Sequence, residues 1–110
     1  MKISATKKKE LLKLLYKYFS LKPEKDWVEG ARIRGDKHCA LGFLDHDFSH
    51  TERIHKDWCY ENVVTGTVMA ITKEEFGYGI VEANNGHTGK ARTPKRRVLS
   101  YIRKQIKSLS

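Results

Sequence analysis

The chain has 110 residues and carries 22 Lys and Arg against 13 Asp and Glu, a formal net charge of +9. That length supports one domain (1–110) and one core without disulfides or metal, and a hydrophobic content of 39% excludes a disordered chain. No stretch approaches the ~18 apolar residues of a membrane span, and "ELLKLLYKYF" is broken by Lys13 and Lys17, so neither a span nor a secretory leader is expected and a cytoplasmic location is. The two cysteines, Cys39 and Cys59, are too few for a disulfide framework and are expected as thiols.

The first element is a helix. Ser4 or Thr6 can cap it, Leu11, Leu12, Leu14, Leu15, Tyr18 and Phe19 form one broad apolar stripe, and Lys9, Lys13 and Lys17 lie opposite. Pro23 ends the pattern, and "KPEKDWVEG" predicts a turn that folds Trp27 back onto the core. "GARIRGD" reads as a loop between Gly30 and Gly35. Asp36 is the expected N-cap of a second helix through "KHCALGFL", with Cys39, Leu41, Phe43 and Leu44 as its apolar atoms.

A third helix can start at Ser49 or Thr51, with Ile54 and Trp58 on one face. Residues 60–72 fit two readings: Tyr60, Val64, Thr67, Val68 and Ile71 make a helical face, whereas "VVTGTVMAI" has the β-branched content of a strand. "FGYGIVEANNG" reads as an extended run of Tyr78, Ile80 and Val81 that ends in a turn at Asn84, Asn85 and Gly86. The last helix begins with Thr93 as N-cap and Pro94 at the first helical position. Val98, Leu99, Ile102, Ile106 and Leu109 line one of its faces, and Arg96, Arg97, Arg103, Lys104 and Lys107 cover the other. The fold expected is mainly α, a compact small helical domain with a short β element near 77–83; the alternative is α+β with a hairpin spanning 63–83.

Charge is spread unevenly along the chain. Residues 1–30 carry eight positive and four negative charges, 31–60 five of each, 61–87 one positive and four negative, and 88–110 eight positive and none negative. Basic ends of this kind suit nucleic acid, a nucleoprotein complex or an acidic protein surface as partner.

Landmarks in this order resemble a known family. "WVEG" at 27–30, "GARIRG" at 30–35, "CALG" at 39–42, "IVEANN" at 80–85 and "TPKRRVL" at 93–99 are similar to motifs of a family of small uncharacterised proteins of actinobacteria and their phages. Phe43 stands where that family has alanine, and Ala83-Asn84-Asn85 replaces its Trp-Asn-Asp, which removes a carboxylate. The resemblance implies a helix over 60–72 and a phage or mobile-element origin. It implies no activity.

Three stretches hold residue types with site chemistry. His46, His50, His55 and Cys59 follow one another at four- or five-residue spacing, and zinc accepts both ligand types, yet the string matches no standard zinc pattern. Cys39 near a helix start, with His38 or His87 as base, sketches a thiol enzyme, but "HCALG" matches no cysteine-protease signature and suits a buried small hydrophobe. "NNGHTGKARTPKRR" brings glycines and a helix N-terminus together with Lys90, Arg92, Lys95, Arg96 and Arg97, which suits an oxyanion although no Walker spacing is present.

The reading is therefore a binding protein without catalysis, cofactor or metal. Its expected contact residues are Lys9, Lys13, Lys17, Lys90, Arg92, Lys95, Arg96, Arg97, Arg103, Lys104 and Lys107. An inhibitor of a bacterial defence system fits that description. The alternatives are a protein–protein inhibitor of an acidic-surfaced partner and a thiol enzyme using Cys39.

Overall fold

Ser4 has extended backbone, and its hydroxyl accepts the Lys7 N–H at 3.2 Å, capping helix α1 (Ala5–Ser20). The computed structural model describes residues 4–31, 33–48 and 75–109, with residues 45–48 described by their backbone alone. Leu11, Leu12, Leu15, Tyr18 and Phe19 are the buried stripe of α1, as their helical spacing dictates. Each such side chain contributes about 1.5–3 kcal/mol by leaving water. The helix stops at Leu21, and Pro23 leads into a single 3-10 turn over Glu24–Asp26. Trp27 then turns inward: its indole N–H donates to the Lys22 carbonyl at 3.3 Å, and its ring meets Phe19 and Phe43 at centroid distances of 5.6 and 5.0 Å.

Strands β1 (Ile33–Arg34) and β2 (Lys37–His38) form an antiparallel hairpin in which Ile33 faces His38 and Arg34 faces Lys37. Asp36 is therefore a turn residue beside Gly35 and not a helix cap, which corrects the sequence expectation. The cause is pairing on both sides of β2, since the Val28 N–H also donates to the His38 carbonyl at 2.9 Å and keeps the backbone extended there. Helix α2 (Ala40–Phe48) begins only at Ala40. Cys39 takes the capping role: its carbonyl accepts from Phe43 N–H at 3.0 Å and its Sγ from Gly42 N–H at 3.4 Å.

The mainly helical expectation holds, but the β element lies at 33–38. Residues 77–84 form helix α3 (Gly77–Asn84). Tyr78, Ile80 and Val81 suggest an extended run, yet the buried side chains are Phe76, Ile80, Ala83 and Asn84, which share a helical face. Tertiary burial outweighs local propensity here. The expected turn at Asn84–Gly86 is present as the helix end. Gly86, at φ 81°, donates to the Ala83 carbonyl at 3.2 Å, and His87 N–H donates to Glu82 O at 2.9 Å, the paired bonds of a Schellman motif. The helix expected from Ser49 or Thr51, the 60–72 stretch and the 63–74 part of the alternative hairpin lie outside the described residues.

Thr93 caps helix α4 (Pro94–Ser108) by accepting Arg96 N–H at 3.3 Å, with Pro94 at its start, as the sequence predicts. Helix α4 packs on α1 and α3, and α3 packs on α2. Glu24 reaches Thr93 and Arg96, and Tyr16 reaches Arg103, so α1 and α4 run antiparallel. One core joins the four helices of the described residues through Leu12, Leu15, Phe19, Trp27, Leu44, Ile80, Val98 and Ile102.

Candidate functional site

Helices α1 and α4 bury one face each, and together they hold 11 of the 22 Lys and Arg, with Arg97 among these buried. On α1, Lys13 and Lys17 are exposed and Lys9 is half-buried; on α4, Arg103, Lys104 and Lys107 are exposed. Arg96, Arg103 and Lys107 follow at seven- and four-residue spacing and share one line along α4. The two helices meet at this level through Tyr16 and Arg103. The guanidinium donates to the Tyr16 hydroxyl at 2.5 Å and lies 5.5 Å from the ring centroid. Lys9 lies two turns before Tyr16 on the same face.

Arg97 does not belong to this surface. It is 6% exposed, and its guanidinium donates to the carbonyls of Ala83 at 2.7 Å, Asn84 at 2.9 Å and Ala91 at 3.1 Å, and pairs with Glu29. Its expected role as a contact residue is corrected: it is the cation that closes the C-terminus of α3. Asn84 completes the same knot. Its side chain accepts Ala40 N–H at 3.0 Å and donates to Val28 O at 2.9 Å, while Asn85 Oδ1 accepts Gly30 N–H at 2.9 Å. The short motifs around Gly30, Cys39, Asn84 and Arg97 thus converge on one structural junction.

The oxyanion position expected at the start of α4 is also partly filled. Glu24 Oε1 accepts from the Thr93 hydroxyl at 3.1 Å and pairs with Arg96 Nε at 3.3 Å. A carboxylate of the chain itself thereby offsets the cations that crowd a helix N-terminus. Lys90 and Arg92 stay exposed on the loop before it and Lys95 is half-buried.

Cys39 is a 9%-exposed residue whose sulfur is engaged with Gly42 N–H. It lines a cavity of about 180 Å³ with Gly30, Ala31, Val81 and Asn85. Of its proposed bases, His87 Nδ1 lies 2.8 Å from Glu82 Oε2, and the His38 ring lies against Phe43 at 5.3 Å. The string His46, His50, His55 and Cys59 lies outside the residues whose side chains are described.

A second cavity, of about 420 Å³, opens between α3 and α4. Tyr78, Gly79 and Glu82 line it from α3, and Ser100, Tyr101 and Lys104 from α4. Gly79 is required there, because a Cβ would overlap the Tyr101 phenol. The His87 hydrogen bond holds the Glu82 carboxyl below its ordinary value, against partial desolvation and with help from a Tyr78 hydrogen bond. Burial raises the Tyr101 phenol above its ordinary value. Sequence reading missed this cleft because Tyr78 was assigned to a strand, which separates it from Glu82; only the i, i+4 spacing of the two signalled a helix.

No family model, curated protein or solved structure matches the chain. No helix among the described residues is long and apolar enough to cross a membrane.

Proposed function

We propose that the protein is a non-catalytic, cytoplasmic accessory protein that binds the phosphate backbone of nucleic acid, alone or within a nucleoprotein complex. The observation that carries this reading is the pair of exposed cationic faces on the packed helices α1 and α4, Lys13 and Lys17 on one and Arg103 and Lys107 on the other, with the helices joined at the Tyr16–Arg103 contact. Residues 88–110 hold eight cations and no carboxylate, and seven of the eight remain once the buried Arg97 is set aside. Among the described residues Lys13, Lys17, Lys104 and Lys107 have no carboxylate partner. Unpaired cations on a rigid helix pair attract a polyanion and release its counterions on contact. A phage or mobile-element origin, implied by the family resemblance, accords with such a role, and inhibition of a bacterial defence complex is one use of it.

The test is the affinity of the full chain for labelled oligonucleotides across a salt series. Binding whose logarithm falls linearly with log salt, with little dependence on sequence, supports the reading. No binding to any oligonucleotide at low salt overturns it.

A further inference from the structure

The cleft between α3 and α4 holds a specific kind of surface. Tyr78 is 80% exposed, so its ring has a face free to stack against a ligand. Beside it stands the half-buried Tyr101, whose phenol packs directly against Gly79 and forms an aromatic wall of the cleft. At about 420 Å³ the cavity falls within the range of roughly 300–1,000 Å³ typical of small-ligand sites. Its rim is cationic on one side only. Lys104 lines it, and Arg103 and Lys107, neighbours of Lys104 on α4, carry the positive strip away from it.

We propose that this cleft receives an unpaired nucleobase, stacked on Tyr78, while the adjoining phosphates lie along Lys104 and Lys107, so that the preferred ligand is single-stranded nucleic acid. The proposal rests on the polyanion reading above and sharpens it. An aromatic face beside a cationic track is the pairing that single strands exploit, because every base offers a π-face and the backbone follows the charge. A duplex keeps its bases stacked inside and can use only the track. Glu82 stands at the same cleft as an acceptor, already fixed by His87, and suits a base that presents an amino group.

The experiment compares fluorescence anisotropy of labelled 12-nucleotide single strands, the matching duplex and heparin, using the full chain, Tyr78→Ala, Tyr78→Phe and Arg103→Glu. Circular dichroism and thermal melting establish that each variant is folded. The expected result is tighter binding of single strands than of duplex at equal salt. Tyr78→Ala should weaken single-strand binding about tenfold and leave duplex binding, heparin binding and the salt slope unchanged, since the ring carries no charge. Tyr78→Phe should restore stacking. If Tyr78→Ala binds single strands as tightly as the parent while Arg103→Glu weakens all three ligands, the cleft has no such role and the polyanion reading stands. If neither oligonucleotides nor heparin bind, both fall together.

Discussion

Arg97 and Asn84 hold each other in place from opposite ends of two helices: Arg97 Nη2, in the first turn of α4, donates to the Asn84 carbonyl in the last turn of α3 at 2.9 Å. A cation in a first helical turn opposes its own helix dipole, but here it satisfies carbonyls at the end of another helix, where positive charge is favourable. The arrangement separates the arginines of "TPKRRV" into two roles. Arg96 is solvent-facing and Arg97 is core.

Replacing Arg97 by glutamate or methionine should destabilise the fold by about 3 kcal/mol or more, since buried carbonyls and Glu29 lose a shared donor. Denaturant unfolding checks this. Arg97→Lys should recover only part of the loss, because an ammonium lacks the planar fork that reaches several acceptors at once.

Asn84→Leu, which keeps the branched heavy-atom shape but is larger, should cost about 2–3 kcal/mol or more, because Ala40 N–H and Val28 O are left unsatisfied in the interior. Asn84→Asp should be no better. Its carboxylate keeps the bond from Ala40 but faces the Val28 carbonyl with a second acceptor. Thermal melting of the two variants decides the matter.

Reversal of Arg103 and Lys107 to glutamate should cost about 1 kcal/mol through loss of the exposed Tyr16–Arg103 contact and leave the chain folded. Affinity for a polyanion should drop at least tenfold at low salt, and the log–log salt slope should shrink by about 2 if both residues meet phosphates. An unaltered slope removes α4 from the interface.

Cys39→Ser should be close to neutral in stability. The hydroxyl is a better cap acceptor than the thiol for Gly42 N–H, which offsets the loss of a buried sulfur. Cys39→Val, which keeps apolar bulk but cannot cap, should cost about 1 kcal/mol. Native Cys39 should react slowly with an alkylating reagent, and fast modification with loss of an activity would revive the thiol-enzyme alternative.

Glu82 should titrate below 4.5, its ordinary value, with the His87 hydrogen bond as the main cause. Its contribution to the helix end is therefore present above pH 4.5 and is lost as pH falls through the lowered folded value. An NMR titration of the Glu82 carboxyl checks the sign. His87→Ala should move that carboxyl back up.

The amphipathic helices at the two ends were legible because their apolar residues repeat at helical spacing and their caps, Ser4, Thr93 and Pro94, are local signals. What misled the reading was context. Asp36 has the chemistry of a cap, but strand pairing of Lys37 and His38 is not written in the adjacent residues. Tyr78, Ile80 and Val81 have strand propensity, and the burial of Ile80 that favours a helix comes from packing on α2 and α4, which no adjacent residue signals. Arg97 could not be told from Arg96 by type. Only its spacing, one residue before Val98 and five before Ile102, placed it at the edge of the apolar stripe.

The contact between Tyr16 and Arg103 spans 87 residues of sequence. Helix α1 leaves the ribosome well before α4, the partner that covers much of its apolar stripe. A loop of that length must close before the two can pair, at an entropic cost that grows only slowly with length but delays the contact. The order of synthesis and the order of packing are thus opposed, and Leu11, Leu12 and Leu15 remain available to other hydrophobic surfaces until translation of α4 is complete.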